Sequence, residues 1–202
     1  MIPHRVPAEK EAAAFFRGCF RMKEVATEIL FPKEVIDRRV RELAGQISRD
    51  YEGREPLIVG ILNGAFIFMA DLIRALDVPC RVDFVRLASY GAGSVSSGEI
   101  RIGKDLETPI AGRDVLIVED IVDTGLTLSR LVEILRKRQP ASLRVCAFLD
   151  KRERRRVPFT ADYVGFPIPD RFVVGYGLDY NEEFRFLPDV RVLGTSSERE
   201  GV

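Results

Sequence analysis

The sequence predicts an α/β fold with a central, mostly parallel sheet flanked by helices. Apolar runs without polar alternation, Leu57–Leu62 and Val115–Val118 above all, suit strands buried on both faces of a parallel sheet. Between such runs lie segments with apolar residues at helical spacing, such as Leu128, Leu131, Val132 and Leu135. Strands alternating with helices in this way build a parallel sheet through crossover connections.

Taken in order, residues 1–26 are helix-prone and read as an N-terminal extension to a domain spanning 27–194, with 195–202 a polar tail. Phe31-Pro32 marks a boundary. Pro32 to about Arg49 reads as an amphipathic helix with Val35, Ile36, Val40, Leu43, Ala44 and Ile47 inward. Pro56–Leu62 is a buried strand, Asn63-Gly64 punctuates it, and Ala65–Leu76 is a helix. Val82–Leu87 is a second strand. Ser89–Ser97 is a Gly/Ser-rich loop, and Glu99–Ile102 pairs back as a short strand. Val115–Val118 comes next, then a helix ending near Arg138 before the break at Pro140. Leu143–Leu149 and a short late strand at Phe172–Tyr176 follow.

Composition narrows the function. The chain has 202 residues, with 31 basic and 31 acidic side chains. A length of this kind suits one domain. Balanced charge gives no overall field favouring nucleic acid or an anionic membrane. No apolar run reaches the length of a membrane span, and the N-terminus has no signal-peptide core. Cys19, Cys80 and Cys146 are odd in number and widely spaced, and His4 is the only histidine. That pattern disfavours a zinc site and a histidine-based hydrolase, and fits reduced, mostly buried thiols in a cytoplasmic protein.

The densest chemistry lies in Val115-Leu116-Ile117-Val118-Glu119-Asp120-Ile121-Val122-Asp123-Thr124-Gly125-Leu126-Thr127-Leu128. A buried strand ends in two carboxylates, and a short loop leads into a helix. The first turn of that helix offers unpaired N–H groups and the positive end of the dipole. Gly125 permits close backbone approach, and Thr124 and Thr127 add hydroxyl donors, which together make a phosphate cradle. Glu119 and Asp120 would repel a bare phosphate. They suit ribose hydroxyls or a hard cation instead. Asp123 stands where its charged form is favoured and could serve as a general base. The bland alternative makes Asp123 or Thr124 a helix cap and leaves the acids solvated.

This segment resembles the phosphoribosyl pyrophosphate binding motif of type I phosphoribosyltransferases, and the chain from about 27 to 194 resembles their hypoxanthine-guanine branch. The resemblance implies that fold with a small base-binding hood, purine salvage, Mg²⁺, a 6-oxopurine substrate, and a homodimer or homotetramer. It assigns the 5′-phosphate to Thr124, Gly125, Leu126 and Thr127, and the ribose hydroxyls and Mg²⁺ to Glu119 and Asp120. The purine N7 proton falls to Asp123. Read from the residues, Leu62-Asn63-Gly64 is a β-to-α turn that could present N–H groups to an anion. The resemblance puts pyrophosphate on Asn63 and Gly64, with a cis peptide at Leu62–Asn63. Many members have a basic residue in place of Asn63, and some have lysine in place of Leu126.

Ser89 and Tyr90 resemble a pair in a loop that closes over the reacting centre and excludes water. Lys151 directly follows a strand and matches the lysine that donates to the exocyclic oxygen of a 6-oxopurine, whereas adenine presents a donor there. The arginines at 154–156 that follow read as a solvated face. The stretch from Phe166 to Glu182 resembles the hood. Its residues alone allow Phe172 as core or as a strand-end aromatic that stacks on a flat base, and Asp179 as a turn cap. The resemblance makes Phe172 the stacking partner of the purine and pairs the backbone near Arg171 and Val173 with the base edge. It gives Asp179 a Mg²⁺ on pyrophosphate and Arg185 the pyrophosphate itself. Two alternatives share the motif: a phosphoribosyltransferase for xanthine or another base such as adenine, and a nucleotide-sensing regulator that binds nucleic acid. Lys151 and Phe172 argue against adenine; retained Asp123 and zero net charge argue against the regulator.

Overall fold

A computed structural model describes residues 27–89 and 100–193. The extension, Tyr90 with most of the Gly/Ser-rich loop, and the polar tail lie outside the described residues. The main sheet has six strands in the order β4-β3-β2-β5-β6-β7. These are β2 (Leu57–Leu62), β3 (Arg81–Ser89), β4 (Ile100–Lys104), β5 (Asp114–Val122), β6 (Ser142–Asp150) and β7 (Tyr163–Pro167). All neighbours are parallel except the β3–β4 pair. The backward pairing expected after the loop is therefore present, with Ser89 opposite Ile100.

Helices α1 (Lys33–Asp50), α2 (Phe66–Ala75) and α3 (Leu126–Arg136) cover the sheet. Successive strand residues face opposite sides. Ile58, Leu116, Val118, Cys146 and Phe148 pack with α1 and α2, while Leu57, Val59, Val115, Ile117, Val145 and Ala147 pack with α3. Both faces are thus buried, which is why these strands read as unbroken apolar runs. No helix among the described residues is long and apolar enough to cross a membrane. Cys80 and Cys146 are free thiols, Cys146 fully buried.

A second, three-stranded antiparallel sheet joins the two ends of the domain. It holds β1 (Thr27–Phe31), β8 (Val173–Val174) and β9 (Val190–Leu193) in the order β1-β9-β8. Strands β1, β7 and β9 were not legible in the sequence, being short and without a continuous apolar run. The late strand is shorter than expected, because Gly175, Tyr176 and Gly177 all have positive φ and turn the chain out of the extended state. Strand β5 runs longer than its apolar core, so Glu119 and Asp120 lie within the strand, which continues to Val122, and are not loop residues.

Candidate active site

Strands β2, β5 and β6 are neighbours, and their C-terminal ends bring three chain segments to one mouth, the edge at which ligands of parallel sheets bind. Strand β5 carries Glu119 and Asp120. Burial pushes the Glu119 carboxyl well above its usual range, with the charge of Asp120 adding to it. Its Oε2 is buried without a hydrogen-bond partner. Burial also pushes Asp120 up, to about 6, against the Ile121 N–H that its Oδ1 accepts at 2.8 Å. Two half-buried acids side by side, one with an oxygen that has no hydrogen-bond partner, are eased as anions by hydroxyl donors or a cation.

The loop after β5 is only Asp123–Gly125. Gly125 caps α3 at φ 78°, in the left-handed region. The Thr124 hydroxyl accepts the Leu126 N–H at 3.4 Å, and the Ser129 N–H bonds the Gly125 carbonyl at 2.9 Å. Leu126 and Thr127 are exposed on the first turn. Asp123 has Arg154 Nε 3.0 Å from its Oδ1, a charge contact without hydrogen-bond alignment.

At the end of β2 the Leu62–Asn63 peptide is cis, as expected. Asn63 is exposed, and Gly64 lies so close to Asp120 that a Cβ there would overlap its carboxylate. Gly177, at φ 100°, lies against the Gly64 carbonyl with no room for a Cβ. Arg185 donates to the Gly177 carbonyl at 2.8 Å and pairs with Asp179 at 2.8 Å. Asp179 also accepts the Glu182 N–H at 2.9 Å. Asn63, Gly64, Asp120, Asp179 and Arg185 thus form one connected wall.

The opposite wall begins with Lys151, which follows β6 and is 7 % exposed. Its N–H bonds the Val122 carbonyl at 2.9 Å, and its Nζ lies 3.8 Å from Asp170. Phe172 is 51 % exposed and meets Tyr180 edge-to-face at 5.5 Å. The Arg171 N–H bonds the Pro169 carbonyl at 2.8 Å, its guanidinium stands 3.5 Å from Glu28, and Val173 pairs with Val192.

Residues 27–181 match the phosphoribosyl transferase domain family. This chain belongs to the phosphoribosyltransferases. It is 48 % identical over 172 residues to the hypoxanthine-guanine phosphoribosyltransferase of Bacillus subtilis, covering 85 % of this chain and 96 % of that protein. It is 51 % identical over 173 residues to the hypoxanthine-guanine phosphoribosyltransferase of Aquifex aeolicus, covering 84 % and 97 %. The crystal structure of a hypoxanthine-guanine phosphoribosyltransferase from Bacillus anthracis superposes with a TM-score of 0.80 at 43 % identity, over 83 % of this chain and 98 % of that one.

One sequence alternative falls at this site and one reading is corrected in part. Phe172 is no core residue, because the hood strands leave its ring at the surface beside Tyr180, an aromatic that sequence reasoning passed over. Of the basic run read as a solvated face, Arg154 and Arg156 are exposed, and Arg155 is the exception. Arg154 pairs with Asp123 and Asp170, and Arg155 folds inward onto Asp150 and the loop after β5. Asp150, 3 % exposed, forces this, since a buried carboxylate demands a partner. An acid closing the apolar run of β6 was the one sequence signal for it.

The raised Asp120 carboxyl has a consequence for stability. The folded protein holds that proton up to about pH 6 while the unfolded chain releases it near 3.8, so folding loses stability as pH rises between them. Asp120→Asn is therefore expected to stabilise the substrate-free protein by about 1–2 kcal/mol at pH 8. The gain should vanish near pH 4. Thermal melts of both proteins across that range measure it, and a gain that does not depend on pH would refute the assignment.

Proposed function

We propose that this protein transfers the 5-phosphoribosyl group from phosphoribosyl pyrophosphate to N9 of hypoxanthine or guanine, giving IMP or GMP and pyrophosphate. The observation that carries the reading is the convergence, at one sheet edge, of a glycine-bearing loop that opens a helix, two half-buried carboxylates and the buried Lys151. The named relatives point to the same bases.

In this reading the N–H groups and hydroxyls of Thr124–Thr127 hold the 5′-phosphate. Glu119 and Asp120 accept the ribose hydroxyls. The wall of Asn63, Gly64 and Arg185 takes the pyrophosphate, with backbone donors replacing the basic side chain that Asn63 lacks. Lys151 donates to the purine 6-oxygen, the backbone around Arg171 and Val173 reads the base edge, and Phe172 stacks on the ring. Ser89, the last residue of β3, leads into the closing loop that the resemblance assigns to Tyr90. The bond from the anomeric carbon to pyrophosphate breaks as the bond to N9 forms, and Asp123 takes or shares the N7 proton. Positioning and electrostatics carry such a reaction more than covalent chemistry.

Glu119, Asp120 and Asp179 offer the hard carboxylate oxygens that Mg²⁺ takes, and the orphaned Glu119 Oε2 suits such an ion. Among the described residues no three acidic, cysteine or histidine side chains form a metal cage. That donor set fits an ion that completes its shell with substrate oxygens. The chemistry such an ion supplies when bound is charge neutralisation on the leaving pyrophosphate. Assembly as a homodimer or homotetramer and residence in the cytoplasm belong to the same reading; light scattering of the purified protein measures the first.

Pyrophosphate release from phosphoribosyl pyrophosphate and Mg²⁺, run in parallel with hypoxanthine, guanine, xanthine and adenine, tests the proposal. Turnover with hypoxanthine or guanine and not adenine is expected. No turnover with any base would overturn it. Lys151→Ala should lower the preference for hypoxanthine over adenine about tenfold or more, the worth of one hydrogen bond from a charged donor. Unchanged discrimination would remove Lys151 from base selection.

A further inference from the structure

Three consecutive carbonyls of the phosphate loop are held by one segment of the chain. The Val122 carbonyl accepts from the Lys151 N–H at 2.9 Å and from Arg155 Nη1 at 3.0 Å. The Asp123 carbonyl accepts from the same Nη1. The Thr124 carbonyl accepts from the Arg156 N–H at 3.0 Å. Arg155 is itself anchored, because its Nη2 pairs with Asp150 and its Nε donates to the Phe159 carbonyl at 3.2 Å. The Arg155 side chain is 15 % exposed and the Asp150 side chain 5 %. A Cβ on Gly125 would lie 3.2 Å from Arg155 Cδ, so the arginine stem also floors the loop.

In a trans peptide the C=O of one residue and the N–H of the next point in opposite directions. Leu62–Asn63 is the only cis bond among the described residues. Carbonyls of Val122, Asp123 and Thr124 turned toward Lys151–Arg156 therefore turn the N–H groups of Asp123, Thr124 and Gly125 away from it, to the opposite side of the loop. Successive N–H groups aimed one way make an anion cradle.

We propose that Arg155, held by Asp150, is a positioning residue that orients the phosphate-loop peptides, and so sets affinity for the phosphoribosyl donor without touching it. The proposal rests on the phosphoribosyltransferase reading above. A guanidinium suits this task because its planar fork serves a carboxylate and several carbonyls at once. An ammonium is a compact point charge that satisfies Asp150 but does not span the same set.

Steady-state kinetics of Arg155→Lys, which keeps the buried charge pair, and of Arg155→Met combined with Asp150→Asn, which removes it, provide the test. In both, KM for phosphoribosyl pyrophosphate should rise about tenfold or more, while KM for hypoxanthine changes less than about threefold. Ethylguanidine should restore part of the donor affinity in the double variant. An unchanged donor KM, with the loss confined to the active fraction and the melting temperature, would show a merely structural arginine and overturn the inference. Equal rises in both KM values would overturn it too. Absence of turnover in the wild-type protein is the distinct result that defeats the reaction itself.

Discussion

Asp123→Asn is expected to cut turnover by about a hundredfold or more while leaving the melting temperature close to that of the wild type. The substitution keeps the shape of the side chain and removes its capacity to accept a proton. Its partner in the fold is the 42 %-exposed Arg154 side chain, an ion pair whose loss costs little. A proton acceptor at purine N7 can be lost in this way without disturbing the loop, because the loop is held through its backbone by Arg155 and Arg156 and not through the Asp123 carboxylate. Turnover of the variant with hypoxanthine, followed against pH, is the measurement. Turnover equal to wild type would exclude Asp123 as the base, and a large fall in melting temperature would make it a structural acid.

Gly177→Ala is the second large effect. At φ 100° an L-residue is strained, at a cost of about 1–3 kcal/mol. The new Cβ would also overlap the Gly64 carbonyl, and backbone cannot swing aside as a side chain can. Either Gly64 or the turn of Gly175–Leu178 must shift. Gly64 sits against Asp120, and the Gly177 carbonyl anchors Arg185, so the displacement spreads through the wall assigned to pyrophosphate. The expected result is a loss of stability of about 2–4 kcal/mol together with a fall in kcat/KM for phosphoribosyl pyrophosphate of about tenfold or more. Gly53→Ala is the control. Gly53 has φ 72° but nothing within 4 Å of its new Cβ, so it should lose stability alone, by about 1 kcal/mol. Equal kinetic losses in both variants would refute the argument for Gly177.

The sequence by itself determined the layers. Unbroken apolar runs at Leu57–Leu62 and Val115–Val118 can be buried only in a sheet covered on both faces, and the helical stripes between them supply the covers. It also determined the turn from β5 into α3, because an acidic strand end, a glycine and a helix start are consecutive residues that local geometry alone brings together. The cis Leu62–Asn63 bond was legible only through the family resemblance.

The tertiary structure alone decided the rest. Strands β1 and β9 come from opposite ends of the domain, and their pairing depends on main-chain groups that carry no sequence signature. Which arginine of the basic run turns inward was equally hidden. Arg154, Arg155 and Arg156 are chemically alike, and only the position of buried Asp150 at the end of β6, which also pairs with exposed Arg152, draws the middle one inward. The wall around Gly64 depends on Gly177, which lies more than a hundred residues away and meets it in space. Periodicity and turn chemistry act over a few residues and can be read from the chain. Partner choice among distant charges and the spacing of two backbones are set by packing, which no local pattern records.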